Sequence, residues 1–320
     1  MHTRLHTRVR ALASCTLISL AIPIATLADI EIGDAVTLGD DMTTLRSKLQ
    51  SSCKAITRVT ISPPRFPLAE NNEQHLICDN YAQGDIRFSK TAFTLADDRL
   101  VRMEATGIAP QQVKVALGEA SAAYLDYEIY GDGLFWLSET RNTVIWLDST
   151  GLHPNLFAWR NPLAYGKEYP YTPTAVVHPQ IAKFETSLNQ QIPQLEASCS
   201  PLLVEEIAEI WLQNQPQRQT QANCFNYPYA GFERKLELVF GDGRLQVVWI
   251  LTAKAEEQRI REHLIAQWGS PDINNATWEV FEEGRISLRK DLPELLLLSD
   301  EMIPLYIDAL TNPDQATDSR

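Results

Sequence analysis

The pattern of apolar and polar positions occurs twice along the chain. Two cysteines 25 residues apart, at 53 and 78, return as two cysteines 25 residues apart, at 199 and 224. The stretches after each pair also match: residues 78–81 (Cys-Asp-Asn-Tyr) recur as 224–227 (Cys-Phe-Asn-Tyr), and the apolar-then-polar stretch 93–100 recurs as 238–245. The chain is therefore interpreted as a tandem duplication of one unit.

Each unit begins with an amphipathic helix that leads into its first cysteine. Apolar residues lie on one helical face at spacings of three or four residues; they are Met42, Leu45 and Leu49 in the first unit, and Leu188, Ile192 and Leu195 in the second. Asp40 or Asp41 is placed to cap the first helix. Pro193 is expected to limit the length of the second.

The two units are predicted to differ between their cysteines. Ile56 to Ile61 alternates apolar and polar residues, as a half-buried strand does. Its counterpart, Leu203 to Leu212, carries apolar residues at helical spacing and predicts a helix; they are Val204, Ile207, Ile210 and Trp211.

A hairpin, a second helix and a second hairpin complete each unit. Gly241-Asp242-Gly243 is suited to a tight turn, and Gly118 and Gly269 follow the second helices at the position of a C-terminal cap. Val144–Leu147 and Leu295–Leu298 are continuous apolar runs, typical of central strands covered on both faces. The predicted fold class is α+β, with two homologous units, each an antiparallel sheet with helices on one face and one internal disulfide.

These elements divide the chain into five parts. We expect a signal peptide at 1–28, a first repeat at 29–159, a linker rich in proline and tyrosine at 160–182, a second repeat at 183–310 and a disordered tail at 311–320.

Composition and compartment agree with this division. Arg4, Arg8 and Arg10 precede an apolar stretch that ends in small residues, as in a secretory signal, and indicate a periplasmic or secreted protein. A lipoprotein anchored at Cys15 is a minority alternative. Removing residues 1–28 makes the net charge of −13 more negative still, which disfavours nucleic acid as a partner. No later segment is long and apolar enough to predict a transmembrane helix.

The four remaining cysteines favour disulfides, because the chain is expected to be exported and lacks a Cys-x-x-Cys motif. Four cysteines allow three pairings. Since a duplicated unit should close its own bridge, we predict Cys53 with Cys78 and Cys199 with Cys224, each worth about 3 kcal/mol through loop closure.

Motifs for catalysis, metal binding or phosphate binding are not found in the sequence, so no catalytic residue, metal ligand or cofactor is predicted. The histidines outside the signal are interpreted as ordinary loop or helix-surface residues; they are His75, His153, His178 and His263. The carboxylates Glu205, Glu206 and Glu209, and likewise Glu282 and Glu283, are interpreted as solvated acidic faces.

One difference between the aligned second hairpins suggests a binding surface. Arg285 and Ser287 occupy positions that are predicted to face solvent on a strand of the second unit. The first unit has Leu134 and Trp136 at the same places, and large apolar side chains there indicate a candidate interface. The alternative is that they pack within the chain, against the linker, the other unit, or Phe157 and Trp159.

The resulting hypothesis is an exported, non-enzymatic binding protein whose partner is another envelope or secreted protein. In layout it resembles the tandem-repeat β-lactamase inhibitor proteins, a likeness that implies a protein-binding surface formed by two disulfide-containing units. Two alternatives stay open. One is a periplasmic hydrolase with a site between the repeats, using His153 or His178; the other is a binder of a small apolar ligand, in a cavity lined by Trp136, Trp146 or Trp249.

Overall fold

The fold was analysed on a computed structural model, which describes residues 36–131, 133–147, 159–168, 172–184 and 186–313. The predicted signal peptide, His153, Phe157 and most of the predicted C-terminal tail lie outside these residues. Within them, no helix has the length and apolar character needed to span a membrane. The described residues belong to one compact unit.

The described residues of the first repeat form two helices and eight strands. In chain order they are α1 (Met42–Leu49), β1 (Ala55–Ile61), β2 (Glu73–Gln83), β3 (Ile86–Ala96), β4 (Arg99–Thr106), α2 (Pro110–Leu117), β5 (Ala122–Tyr124), β6 (Tyr127–Tyr130), β7 (Phe135–Ser138) and β8 (Thr143–Leu147). A short 3₁₀ helix, Pro162–Tyr165, follows in the predicted linker, which is called the connector from here on.

In the described residues, the second repeat has the corresponding elements in the same order, followed by a further helix. They are α3 (Leu188–Ser198), β9 (Leu202–Ile207), β10 (Gln219–Tyr229), β11 (Phe232–Gly241), β12 (Arg244–Leu251), α4 (Glu257–Trp268), β13 (Ile273–Asn274), β14 (Trp278–Phe281), β15 (Ile286–Arg289), β16 (Glu294–Leu298) and α5 (Ile303–Thr311).

The two antiparallel sheets have the same topology. The first runs β1-β2-β3-β4-β8-β7-β6-β5, and the second runs β9-β10-β11-β12-β16-β15-β14-β13. The pairing of the first two strands also matches, since Ile56 lies opposite Cys78 and Leu202 lies opposite Cys224. The predicted two-repeat α+β fold is confirmed.

The matching residues also share backbone details. Asp41 and Ser187 cap α1 and α3. The backbone of each also pairs, as an isolated antiparallel β-bridge, with the first residue of the fourth strand of its repeat. Asn80 and Asn226 are both left-handed, with φ of 52° and 54°. Asparagine tolerates that conformation better than most residues with a Cβ atom. This explains why asparagine recurs in the Cys-x-Asn-Tyr sequence.

Both predicted disulfides are confirmed. Cys53 is bonded to Cys78 and Cys199 to Cys224, with Cα atoms 5.5 and 4.9 Å apart. Each bond ties the segment after the first helix of its repeat to the second strand. Because each loop closes within one repeat, the two bridges stabilise the repeats separately.

The predicted helix at Leu203 to Leu212 is wrong. Leu202–Ile207 forms the edge strand β9, which pairs along its whole length with β10. The helical spacing depended on Ile210 and Trp211, which lie beyond the strand in a loop whose Trp211 amide donates to Gln219 Oε1. The apolar residues that suggested a helix lie partly in β9 and partly in the loop after it. Pairing with β10 therefore determines the structure here, and the helical spacing does not.

The expected effect of Pro193 on α3 is also wrong, since the helix continues through it to Ser198. A capping box formed by Ser187 and Gln190 secures the start of the helix, and fully buried Leu195 secures its end. These contacts offset the hydrogen bond that proline cannot donate.

Each sheet has two covered faces. Buried residues of α1 and α2 pack on one face of the first sheet, and those of α3 and α4 on the corresponding face of the second. Helix α5 covers the opposite face of the second sheet with Met302 just before it and Tyr306 and Leu310 within it. The corresponding face of the first sheet, here named the connector face, is covered by residues 159–168.

The predicted linker is thus packed against both repeats. Fully buried Asn161 belongs to the connector face of the first sheet. Val176, Ile181 and Ala182 belong to the core of the second repeat, and the Thr174 amide donates to the Ala230 carbonyl.

Candidate functional site

A charged network is buried on the connector face of the first sheet. Adjacent strands place Glu73 and His75 on β2 beside Thr94 on β3, and all three are completely buried. His75 Nε2 lies 2.7 Å from Glu73 Oε1. The other oxygen of Glu73 accepts from the amides of Arg65 and Phe66, at 2.5 and 2.8 Å.

Asn161 fixes the hydrogen-bonding state of His75. The amide of Leu163 donates to Asn161 Oδ1 at 3.0 Å, so the side-chain NH₂ group faces His75 Nδ1, also at 3.0 Å. Because Nδ1 then accepts a hydrogen bond, Nε2 carries the proton and donates it to Glu73. Burial acts to raise the pKa of Glu73, but the contact with His75 and the two backbone amides hold it below the ordinary value.

A second carboxylate on the same face links the network to the connector. Glu104 on β4 accepts from Arg102 Nη2 at 2.7 Å and from the amide of Asn161 at 3.0 Å. Its other oxygen accepts from the Tyr165 hydroxyl at 2.7 Å. Each side chain in this network forms at least one hydrogen bond inside the protein, so the network is suited to holding the connector in place.

The second repeat keeps only part of this arrangement. Gln219, at the place of Glu73, accepts from the amides of Trp211 and Leu212 at 3.1 and 3.0 Å, just as Glu73 accepts from two amides of its own loop. The places of Arg102 and Glu104 are taken by Val247 and Trp249, which pack under α5. The charged network is therefore specific to the first repeat.

The network leads to a crevice between the repeats. Leu125, Tyr127, Arg141 and Arg160 line it from the first repeat, and Pro201, Phe225 and Asn226 from the second. Two arginines lie against one aromatic ring, with guanidinium carbons 5.8 and 5.9 Å from the centre of Tyr127. The crevice is partly open and has a volume of about 20 Å³, room for about one water molecule.

The four outer strands of the two sheets differ in length and charge. β5 and β13 have three and two residues, whereas β9 has six and β1 has seven. β9 carries Glu205 and Glu206, and its Leu203 packs against the connector-face cluster of the first repeat. β1 carries a single charged residue, Arg58, whose guanidinium donates to Gln74. No strand in the described part of the chain pairs with the outer edge of β1.

The predicted interface residues lie in two different environments. Trp136 is only 4% exposed and its Nε1 donates to the Gly133 carbonyl at 2.7 Å. Its ring packs edge-on against Tyr124 and Tyr127. Leu134 is half-buried against the core that packs under α1 and α2, here named the helix-side core. Packing within the chain was the alternative considered for this pair, and binding of a partner through Leu134 and Trp136 stays a prediction.

The other candidate residues lie in separate parts of the fold. His75 is a buried strand residue, which corrects its interpretation as a surface histidine. His178 is exposed, with Nδ1 3.2 Å from the Pro179 carbonyl. Trp146 and Trp249 are buried against aromatic neighbours, at 5.7 Å from Phe88 and 6.2 Å from Trp278. No group of acidic, histidine and cysteine residues suited to a metal ion occurs among the described residues.

The acidic stretch on β9 also departs from its interpretation. Glu206 is an exposed residue paired with Arg218 at 3.0 Å, as a solvated face requires. Glu205 is half-buried and accepts from Asn223 at 2.8 Å. Burial raises its pKa, and the nearby carboxylate of Glu237 adds to the effect.

Sequence reasoning missed the connector-face network and the crevice. Glu73, His75, Arg102 and Glu104 alternate along β2 and β4, a pattern that matches one face of a sheet. That pattern is typical of a solvated face, and only the position of the connector shows that the face is covered.

Comparisons with known proteins leave the fold and this site to be argued from the chain itself. No protein-family model matches the sequence. No curated protein and no solved structure matches it either.

Proposed function

We propose that the protein is an exported, non-enzymatic binding protein, and that it recognises an extended segment of a partner protein at the outer edge of β1. The single observation that supports this is the state of β1, a seven-residue edge strand with little to prevent further pairing. Edge strands present backbone N–H and C=O groups in register, and an added strand can pair with them.

The comparison of the four edges favours β1. Short edges, charges and covering segments are the usual means of blocking such pairing. β5 and β13 are short, and β9 has two glutamates and a contact with the first repeat. β1 is rich in Thr, Ile and Val, residues that suit a strand, and its Thr57 and Thr60 side chains are exposed.

The surroundings of β1 give its pairing edge a firm support. Cys53, just before the strand, is bonded to Cys78 on the neighbouring strand. Val59 packs with Leu163 of the connector on one face, and Ile56 packs on the helix-side core on the other. A partner strand would therefore meet an edge that is already ordered, which lowers the entropic cost of binding.

The two disulfides support an oxidising compartment, because such bonds persist outside the reducing cytoplasm. Periplasmic or secreted location and a partner from the cell envelope or outside it are part of the proposal. The acidic net charge of −13 favours a partner segment that is neutral or basic.

The test is a charge substitution on β1. Thr57→Glu with Thr60→Glu places carboxylates on the exposed edge, as Glu205 and Glu206 do on β9. We expect stability to change by less than about 1 kcal/mol, since both side chains are exposed. Capture of a partner from an envelope extract should fall at least tenfold, and amide hydrogen exchange in β1 should no longer slow on binding.

A control with the same added charge uses α2. Gln112→Glu with Val115→Glu changes two exposed positions, and this variant should retain its partner. Equal capture by the β1 variant and the wild type, or protection that appears elsewhere than in β1, would reject the edge as the binding surface.

A further inference from the structure

Arg160, in the crevice between the repeats, differs from three other buried or half-buried arginines. Arg102, Arg234 and Arg261 each have a carboxylate partner, at 2.7 Å in every case. Arg160 forms no ion pair in the described part of the chain. Its hydrogen bonds there go to the hydroxyls of Tyr165, at 2.9 Å, and of Tyr127.

The nearby carboxylates are already engaged. Asp126 accepts from Ser138, Thr140 and Arg141. Glu104 accepts from Arg102, Asn161 and Tyr165. Against the opposing effect of burial, both carboxylates are near enough to help raise the pKa of Arg160, but neither forms an ion pair with it. Within the described ranges, the guanidinium of Arg160 therefore keeps only neutral hydroxyls as hydrogen-bond partners, and an anion that reaches it can form a charge-assisted pair.

Arg141 adds a second cation on the same crevice. Its Nε donates to Asp126 at 2.6 Å, and its side chain is one-third exposed. Its two terminal nitrogens form no hydrogen bond with the described residues, so they can donate to a ligand. Arg141 and Arg160 face the same ring and line the same crevice.

The rest of the crevice lining indicates which anion fits. Leu125, Pro201 and Phe225 are apolar, and the side-chain amide of Asn226 donates to the Ser200 carbonyl. A planar guanidinium pairs with a planar carboxylate through two parallel hydrogen bonds, while an apolar wall suits a hydrocarbon stem. The crevice has a volume of about 20 Å³ and is partly open to solvent, so a ligand can approach the arginines with one end while its stem stays at the mouth.

We propose that the crevice between the repeats binds a carboxylate carried on a small apolar group, held by Arg160 and Arg141. This ligand site is separate from the β1 edge and uses residues of both repeats. Binding would place a ligand across the junction of the repeats and so couple them.

The test uses isovalerate as the probe and isovaleramide as its neutral isostere. Calorimetric titration and NMR of the arginine side-chain N–H groups should show saturable binding of isovalerate, with the Arg160 signals shifted, and no saturable binding of isovaleramide. Arg160→Gln should weaken isovalerate binding at least roughly tenfold, as expected for loss of a charge-assisted pair. Arg46→Gln, on the exposed surface of α1, should leave it unchanged.

Arg141→Gln is a second variant, useful if Arg160→Gln fails to fold, because Arg141 is the more exposed of the two; it should weaken isovalerate binding as well. Equal binding of the amide and the acid, or unchanged binding in these variants, would overturn the proposal. Stronger binding of sulfate than of isovalerate would overturn the carboxylate as the ligand class. The Thr57→Glu and Thr60→Glu variant should bind isovalerate normally, which separates this test from that of the β1 edge.

Discussion

Glu73 and Gln219 occupy the same place in the two repeats and accept hydrogen bonds from two backbone amides of their own loops. Glu73 is an acid and Gln219 is neutral, and this difference follows the side chain that each one has as a neighbour. Glu73 also holds His75, whereas Gln219 has no histidine neighbour on its strand. The first repeat thus adds an acid–base pair to a loop anchor that both repeats share.

This pair should make stability depend on pH. Glu73→Gln is expected to lower the free energy of unfolding by about 1–3 kcal/mol near neutral pH, because His75 loses its charged partner. Since the pKa of Glu73 is lowered in the folded protein, its contribution is present above the ordinary glutamate pKa and is lost as pH falls through the lowered value. The difference in the free energy of unfolding between wild type and variant should therefore become smaller in acid.

Urea unfolding of both proteins at neutral, weakly acidic and strongly acidic pH measures that gap. Glu262→Gln, at an exposed position of α4, is the control and should leave stability nearly unchanged throughout. A gap that stays constant down to strongly acidic pH would show that Glu73 does not stabilise the fold through its charge.

At the scale of elements, the two repeats show which patterns carry structural information. The apolar runs of β8 and β16 and the glycines after α2 and α4 predicted the elements correctly, because burial on both faces and a positive φ leave few alternatives. The segment after Cys199 misled, because apolar spacing at Val204, Ile207 and Trp211 fits a helix as well as a strand that runs into a loop. Its pairing with β10 could be inferred only from the first repeat.

The disulfides belong to this scale, since each ties one strand to the segment before its neighbour. Replacing Cys53 and Cys78 by serine is expected to cost about 3 kcal/mol through loop closure, and replacing Cys199 and Cys224 should cost a similar amount. Amide hydrogen exchange through local opening should increase most in the repeat that has lost its bond, in β1 and β2 or in β9 and β10, in addition to any loss of global stability that both repeats share. An increase of equal size in both repeats would contradict separate stabilisation.

At the scale of the whole molecule, the repeats have separate cores but share one cluster. Phe225 of β10 is 2% exposed and packs in the connector-face cluster of the first repeat. The Lys254 amide also donates to the Pro67 carbonyl at 3.0 Å, which links the second repeat to a loop of the first. We therefore expect the two repeats to unfold together.

Phe225→Asp tests this coupling, because aspartate is the residue at the equivalent place, Asp79. The variant removes a buried ring and should lower stability by about 3–5 kcal/mol. Calorimetry should then show two unfolding transitions in place of one. Val177→Asp, at a position 52% exposed, should keep a single transition, and one transition in both variants would argue against Phe225 as the link.

The duplication and the disulfide pairing could be predicted from the sequence, because both depend on residues that recur at fixed positions. The contact between the repeats could not, since it depends on positions where they differ, such as Phe225 against Asp79. The crevice was missed for the same reason: Arg141 and Arg160 lie in a turn and in the connector, where no periodic pattern applies.

The order in which the cysteines pair has a consequence for how the protein matures. The first cysteine of the described chain joins the second and the third joins the fourth. In an oxidising compartment, a chain that emerges N-terminus first can therefore close the first disulfide before Cys199 emerges. The order of emergence then favours the native pairing over the two other possible pairings.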